Sequence, residues 1–483
     1  MLNAAGTVTA RIAVGGGPSG VALKESAARL YVMNRFDNTI SIVDTSTNAA
    51  VGVIGVAGPS RFDPSPDVIK AGRKFLYDAQ LTSGHGDIGC ATCHVFGNFD
   101  NIAWDLGNPQ GAFLPYSEAP WVRFDPLGPS QSGFDPMKGP MTTQTLRGLK
   151  TLEPFHWRGD RQNFQAFNVA FDELMGRGGP LLASEMQAYT DFIMTVHFPP
   201  NPFRNLDDTM PTAITVPSQS GGGATATGNP NNGASAFSNL LLDANAFSCA
   251  RCHALPEGAS RALFNGNLEG ESQDFKIPHL RNMYEKIGFD VIRPNLQSGN
   301  ATNIGLPTQK KGFGFIHDGS VSLTEFLAAP VFTSTTQQER DLFAFMLAFP
   351  TESAPAVGRQ VTADAGNKNS TGVTSTINTL IAQVGASRCD LVVKGVIGGT
   401  AKGWVYDPSV GKFVPDSLLE PMLTESDLRA SIGSGDALTY TGVPPGAGVR
   451  LGIDRDRDGW LDRTEVALGT DPADPRSNPW RWR

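Results

Sequence analysis

Histidine and cysteine are scarce in this chain: 483 residues carry seven histidines and five cysteines. So few cysteines exclude a scaffold held together by a dense disulfide framework. So few histidines mean that any chemistry relying on imidazole must be assigned from a short roll. No run of about 18 apolar residues occurs, which leaves no candidate for a membrane-spanning helix. Clusters of Lys and Arg are also missing, and 39 basic against 47 acidic residues give a net charge of −8, the wrong sign for a nucleic-acid surface. The first residues, Met1-Leu2-Asn3-Ala4-Ala5-Gly6, have neither the charged nor the apolar region of an export signal.

What is present is concentrated. Four of the five cysteines fall in two pentapeptides, Cys90-Ala-Thr-Cys93-His94 and Cys249-Ala-Arg-Cys252-His253. Each is a CxxCH motif, in which two thiols add across the vinyl groups of a haem and the following histidine is placed under the iron. Two covalently bound haem c groups are therefore expected, on Cys90, Cys93, Cys249 and Cys252, with His94 and His253 as proximal iron ligands. A disulfide pair or half a zinc site would not explain a histidine after the second cysteine both times. Haem of this kind is attached outside the cytoplasmic membrane, so the expected location is periplasmic, cell-surface or extracellular, and the given N-terminus is read as a mature or truncated end.

Six segments are expected. Residues 1–60 are short β-branched runs between Gly, Asn and Asp turns, an antiparallel β blade. Residues 61–212 turn helical, with Val68, Ile69, Gly72, Phe75 and Leu76 on one stripe and Met186, Tyr189, Ile193 and Val196 on another. Residues 213–236 read as a low-complexity linker. A second helical lobe follows at 237–358, with Leu342, Phe343, Met346 and Phe349 as its stripe, then a small β-rich module at 359–450 and a tail at 451–483. The 54 glycines and 34 prolines point to long loops.

The two lobes repeat an order. Thr145-Leu146-Arg147-Gly148 and Phe155-His156-Trp157-Arg158-Gly159-Asp160 follow the first CxxCH; His279-Leu280-Arg281-Asn282 and Phe315-Ile316-His317-Asp318-Gly319-Ser320 follow the second. These residues, with Phe275-Lys276-Ile277-Pro278 and Phe313-Gly314, resemble the bacterial dihaem cytochrome c peroxidase superfamily, which includes the MauG-type enzymes. The resemblance implies a mainly α dihaem core of two duplicated class I cytochrome c-like lobes, with Trp157 between the haems. Leu30 to Asp44 also resembles one blade of a YVTN-type β-propeller.

The departures from that family are specific. No histidine lies between Val95 and Gln110, and Val331 stands where the family carries a methionine or tyrosine ligand. His156 and His317, taken as equivalent positions of the two lobes, are then the preferred distal iron ligands. Peroxidase chemistry also needs a carboxylate for proton transfer, for which Glu173 lies in about the right segment. Trp157 and Glu173 are the catalytic candidates if the chain is an enzyme.

Near the C-terminus, Asp454, Asp456, Asp458, Asp462 and Glu465 occupy positions 1, 3, 5, 9 and 12 of a loop with Gly459 at 6, the spacing that wraps Ca²⁺, and Trp460 would add its backbone carbonyl. The reading as a whole is an exported dihaem c-type cytochrome, exchanging electrons with a redox partner protein or a small donor or acceptor, with a calcium-pinned tail. The alternatives are a peroxidase or MauG-like oxidoreductase, and a subunit of an extracellular haem-bearing polymer, a homo-oligomer joined through exposed β edges.

Overall fold

The computed structural model describes residues 1–56, 62–108, 110–112, 136–217, 225–266, 273–287, 314–319 and 321–479, with the backbone of 114–115, 123–124 and 133–134. Among the described residues 28% are helical and 20% are in strands. This overturns the expectation of a mainly α core. The CxxCH cysteines sit on helices of only four residues, Cys90–Cys93 and Cys249–Cys252, and the apolar stripes yield helices of 11 to 12: Asp67–Tyr77, Ala183–Ile193 and Thr336–Leu347. Frequent Gly and Pro stop helices early, so turns and short strand pairs carry the chain between them.

Two compact units form, one from Met1–Leu81 with Ala356–Arg483, the other from Thr82–Pro355. In the first unit the strands Pro18–Lys24, Arg29–Asn34, Thr39–Asp44 and Ala49–Gly55 pair antiparallel in sequence order. Asn38 and Asn48 take positive φ at the turns, a conformation Asn tolerates better than most residues. The inner strands bury Val32 and Val43, while Val21, Leu23, Val51 and Val53 on the outer strands stay exposed. Residues 7–14, within the expected β blade, contribute only a bridge from Val8 to Leu2. The helix Asp67–Tyr77, expected within the first haem lobe, groups with this unit.

The later part of the same unit is a five-stranded antiparallel sheet, ordered Gln360–Asp364, Ala437–Val443, Asp390–Ile397, Thr400–Asp407, Lys412–Pro415. The helix Thr371–Gly385 buries Ile377, Leu380 and Val384, and the sheet buries Leu391, Val393, Leu438 and Tyr440. Ser370 caps that helix by accepting the Val373 N–H. Cys389, the odd cysteine, is buried, and burial pushes its thiol up to about 11.

The second unit holds both CxxCH motifs. Its core is built where the helix Pro230–Asn239 lies against Thr336–Leu347, with Phe237, Leu342, Phe345 and Phe349 at the contact. Gly233 permits the approach, since a Cβ there would stand 2.0 Å from the Asp341 carbonyl oxygen. The segment 213–236, expected as a linker, instead pairs Ile214–Pro217 with Thr225–Gly228 and starts that core helix. The expectation read its Gly and Asn content, whereas Ile214 and Val216 are buried in the core; residues 218–224 lie outside the described residues, as do Phe313 and Ser320.

Candidate functional site

Each CxxCH motif is one helical turn ending at its histidine: the His94 N–H bonds the Cys90 carbonyl at 2.9 Å, and the His253 N–H bonds that of Cys249 at 2.8 Å. The imidazoles are then fixed from behind. His94 Nδ1 lies 2.8 Å from the Gln144 carbonyl, and His253 Nδ1 lies 2.9 and 3.0 Å from those of Gly258 and Pro278. A carbonyl oxygen can only accept, so in both rings Nδ1 carries the hydrogen and Nε2 keeps its lone pair. That is the tautomer an iron ligand needs, with its orientation set by an outer hydrogen bond. Burial, partly opposed by these hydrogen bonds, lowers the pKa of both imidazoles, which keeps them neutral donors at neutral pH.

Two short turns in the two halves match in backbone conformation, which sets their register. Phe155 and Arg161 form an isolated antiparallel bridge, with the Phe155 N–H on the Arg161 carbonyl at 2.7 Å; Phe315 and Val321 do the same at 2.6 Å. His156 and Ile316 both have positive φ, 67° and 55°, and so do Gly159 and Gly319. His156 therefore corresponds to Ile316, and Trp157 corresponds to His317. The expectation that His156 and His317 are equivalent is off by one residue, because it matched histidine to histidine where the turn matches Phe155 to Phe315.

A second match, at a different spacing, covers the segments that hold the proximal histidines. Gln144 and Pro278, whose carbonyls accept from His94 and His253, stand at equal distances before Leu146-Arg147-Gly148 and Leu280-Arg281-Asn282, and Gly148 and Asn282 both take positive φ. The contacts between halves are crossed. The Lys276 N–H of the second half bonds the Trp157 carbonyl of the first at 2.6 Å, and the Thr142 N–H of the first bonds the His317 carbonyl of the second at 2.7 Å.

Around the second motif the fold leaves a cavity of about 330 Å³, lined by Cys249, Cys252, His253, Phe275, His279, Trp157, His317 and Met346 among mainly apolar neighbours. His317 stacks flat on Phe275, ring centroids 4.3 Å apart. Trp157 is buried and donates its indole N–H to the Thr142 carbonyl at 2.8 Å. Thr142 thus joins the wall of this cavity to the short segment whose Gln144 orients His94. His279 also faces the cavity; its Nδ1 accepts the Arg281 N–H at 3.2 Å, and burial, with Lys276, Arg281 and Lys286 nearby, pushes its imidazole down to about 3. Lys286 lines the cavity too, its ammonium pushed down to about 8 by burial.

At the first motif, His156 is close enough to His94 for the two rings to repel when charged. Its Nδ1 is held 2.8 Å from Asp160, which also pairs with Arg158 at 3.0 Å and Arg161 at 3.5 Å. Burial raises the Asp160 pKa, but these partners outweigh it and hold the carboxyl well below its ordinary range. Glu173 ends the short helix Val169–Glu173 as an exposed side chain and does not line the cavity; its helix buries Phe171 instead. Val331 is exposed, and Phe332 beside it lines the cavity.

The donor set fits haem attachment better than a zinc site. Among the described residues, the only close group of metal-capable side chains is Asp454, Asp456 and Asp458, so nothing completes a tetrahedron around either cysteine pair. All four motif cysteines lack a disulfide, and burial raises each thiol.

His279, Lys286 and the carbonyls of Gln144 and Pro278 are the site groups that sequence reasoning missed or ranked low. The shared Leu-Arg pair, read as a register mark, would have found the carbonyls.

No family model matches the chain, and no curated protein matches it. Among solved structures, a hydrazine synthase of Kuenenia stuttgartiensis pressurised with 20 bar xenon aligns with a TM-score of 0.32 at 16% identity, covering 60% of this chain and 90% of that one. A likeness at this level assigns neither a fold nor an activity. No helix among the described residues is long and apolar enough to cross a membrane.

Proposed function

We propose that the chain is an exported dihaem c-type cytochrome whose task is electron transfer. One haem would be held by Cys90, Cys93 and His94, the other by Cys249, Cys252 and His253. The observation that carries this reading is the matched pair of proximal histidines, each with Nδ1–H on a backbone carbonyl and Nε2 left as donor. Bound haem supplies one-electron chemistry that no side chain here offers. The chain's own residues orient the two imidazoles, line the second site with apolar groups, and join the sites through the segment from Gln144 to Thr142 and the Trp157 indole. His156 would serve as distal ligand of the first iron and His317 as that of the second.

A peroxidase or MauG-like activity has less support, because the exposed Glu173 leaves no assigned carboxylate to move a proton. Expression with a c-type haem maturation system and spectroscopy of the purified protein test the proposal. The expected result is two haems per chain, reduced to one by Cys90→Ser with Cys93→Ser and to the other by Cys249→Ser with Cys252→Ser, with low-spin signals that ignore added peroxide. Protein that matures without haem sinks the reading, and a high-spin signal shifted by peroxide would transfer it to the oxidoreductase class.

A further inference from the structure

The loop that precedes the helix Asp462–Leu468 turns its carboxylates inward. Asp454 accepts the Arg457 N–H at 2.7 Å and the Gly459 N–H at 3.1 Å, Asp456 accepts that of Asp458 at 3.3 Å, and Asp458 accepts that of Trp460 at 2.8 Å. Asp454, Asp456 and Asp458 can each bring an oxygen within 4.8 Å of the other two. An acidic cluster alone would mean little. What distinguishes this one is its unused oxygens: Asp456 Oδ2, Asp458 Oδ2 and Glu465 Oε2 have no hydrogen-bond partner among the described residues. Asp456 is 2% exposed and Glu465 0%.

Nearby cations do not fill the role. Arg455 goes to Asp462, by its N–H at 2.9 Å and its guanidinium at 3.0 Å, and Lys394 stands 3.9 Å from the same carboxylate. Asp462, expected as a fifth acidic ligand, is thus already paired. Burial of an unpartnered carboxylate is costly, and several together repel one another at this range.

We propose that Asp454, Asp456, Asp458 and Glu465 bind one hard divalent cation, calcium by the chemistry of an all-oxygen donor set, and that the ion anchors the C-terminal tail. The route from ion to tail runs through Glu465. Its carbonyl accepts the Thr470 N–H at 3.0 Å and its carboxylate the Thr470 hydroxyl at 3.3 Å; three residues on, the Ala473 carbonyl accepts the Phe62 N–H at 2.8 Å. The ion therefore holds the turn by which residues 470–473 reach the chain at Phe62. This inference is independent of the haem reading.

The test uses the full-length protein as purified, stripped with a chelator and titrated with calcium chloride or magnesium chloride. One calcium should bind per chain, at least ten-fold tighter than magnesium, with a rise in Tm and slower hydrogen exchange at 470–473 and 62. Asp456→Asn and Glu465→Gln should each weaken calcium at least ten-fold with the circular dichroism spectrum of the calcium-free protein unchanged. Absence of calcium binding at millimolar concentration in the unmutated protein would overturn the site, whatever the variants do. Calcium binding with unaltered exchange at 470–473 would overturn the anchoring role.

Discussion

Replacing Trp157 by Phe tests the link between the two sites with the least change of shape. The indole N–H reaches the Thr142 carbonyl at 2.8 Å, and both residues are buried, 8% and 5% exposed. Phe keeps an aromatic wall on the cavity but removes the donor. A buried carbonyl left without its partner costs about 1–3 kcal/mol, and the smaller ring adds roughly 1 kcal/mol for the space it vacates. The expected loss is about 2–4 kcal/mol, a large share of the roughly 5–15 kcal/mol that holds a domain folded. Urea unfolding followed at the absorption of the haems proposed for the Thr82–Pro355 unit reports on that unit, and with a slope of about 2–3 kcal/mol/M the midpoint should fall by roughly 1 M. With both sites holding haem as proposed, electron exchange between them, measured after rapid partial reduction, should slow in the same variant. An unchanged midpoint would mean that the hydrogen bond does not contribute as argued. A lowered midpoint with unchanged exchange would leave Trp157 a wall residue and remove it from the electron path.

Other outcomes follow from buried charge and close packing. Burial pushes the Lys276 ammonium down to about 8 from its ordinary 10.5. Between those values the unfolded chain keeps a proton that the folded chain has released, so stability should rise with pH across that window by up to about 1.4 kcal/mol per pH unit. Lys286 adds the same sign; Lys276→Met should therefore roughly halve the rise in a urea midpoint series from pH 8 to 10, and an unaltered series would contradict the assignment. Gly233→Ala should destabilise the same unit by about 1–3 kcal/mol, since its Cβ would meet the Asp341 carbonyl at 2.0 Å; a wild-type urea midpoint would show that the two core helices can move apart.

The parts legible in the sequence were those fixed by local chemistry. CxxCH demands two cysteines and a histidine at one spacing, and the Asn38 and Asn48 turns with alternating apolar residues mark the N-terminal strands, so Pro18–Lys24 to Ala49–Gly55 lie close to where the runs predict them. The apolar stripes placed three helices for the same reason. What the sequence hid was non-local. Gly-rich residues 213–236 look like a linker until Ile214 and Val216 find the core. Matching His156 to His317 was natural in one dimension, and only the bridges at Phe155 and Phe315 show that the second half carries Ile316 there. Glu173 looked usable because its segment was right, yet helix phase turns it to solvent while Phe171 turns inward.

The crossed backbone bonds between the halves, Lys276 to Trp157 and Thr142 to His317, bear on how such a molecule can be divided. Each half lends the other a donor that water cannot easily replace once the site is closed. The two halves are thereby mutually dependent, as two clasped hands are, and the unit of folding is the pair. Residues 82–217 produced alone should then be cut rapidly by proteases under conditions where the whole chain survives. A change that removed one half would leave not a smaller protein but an unfinished one.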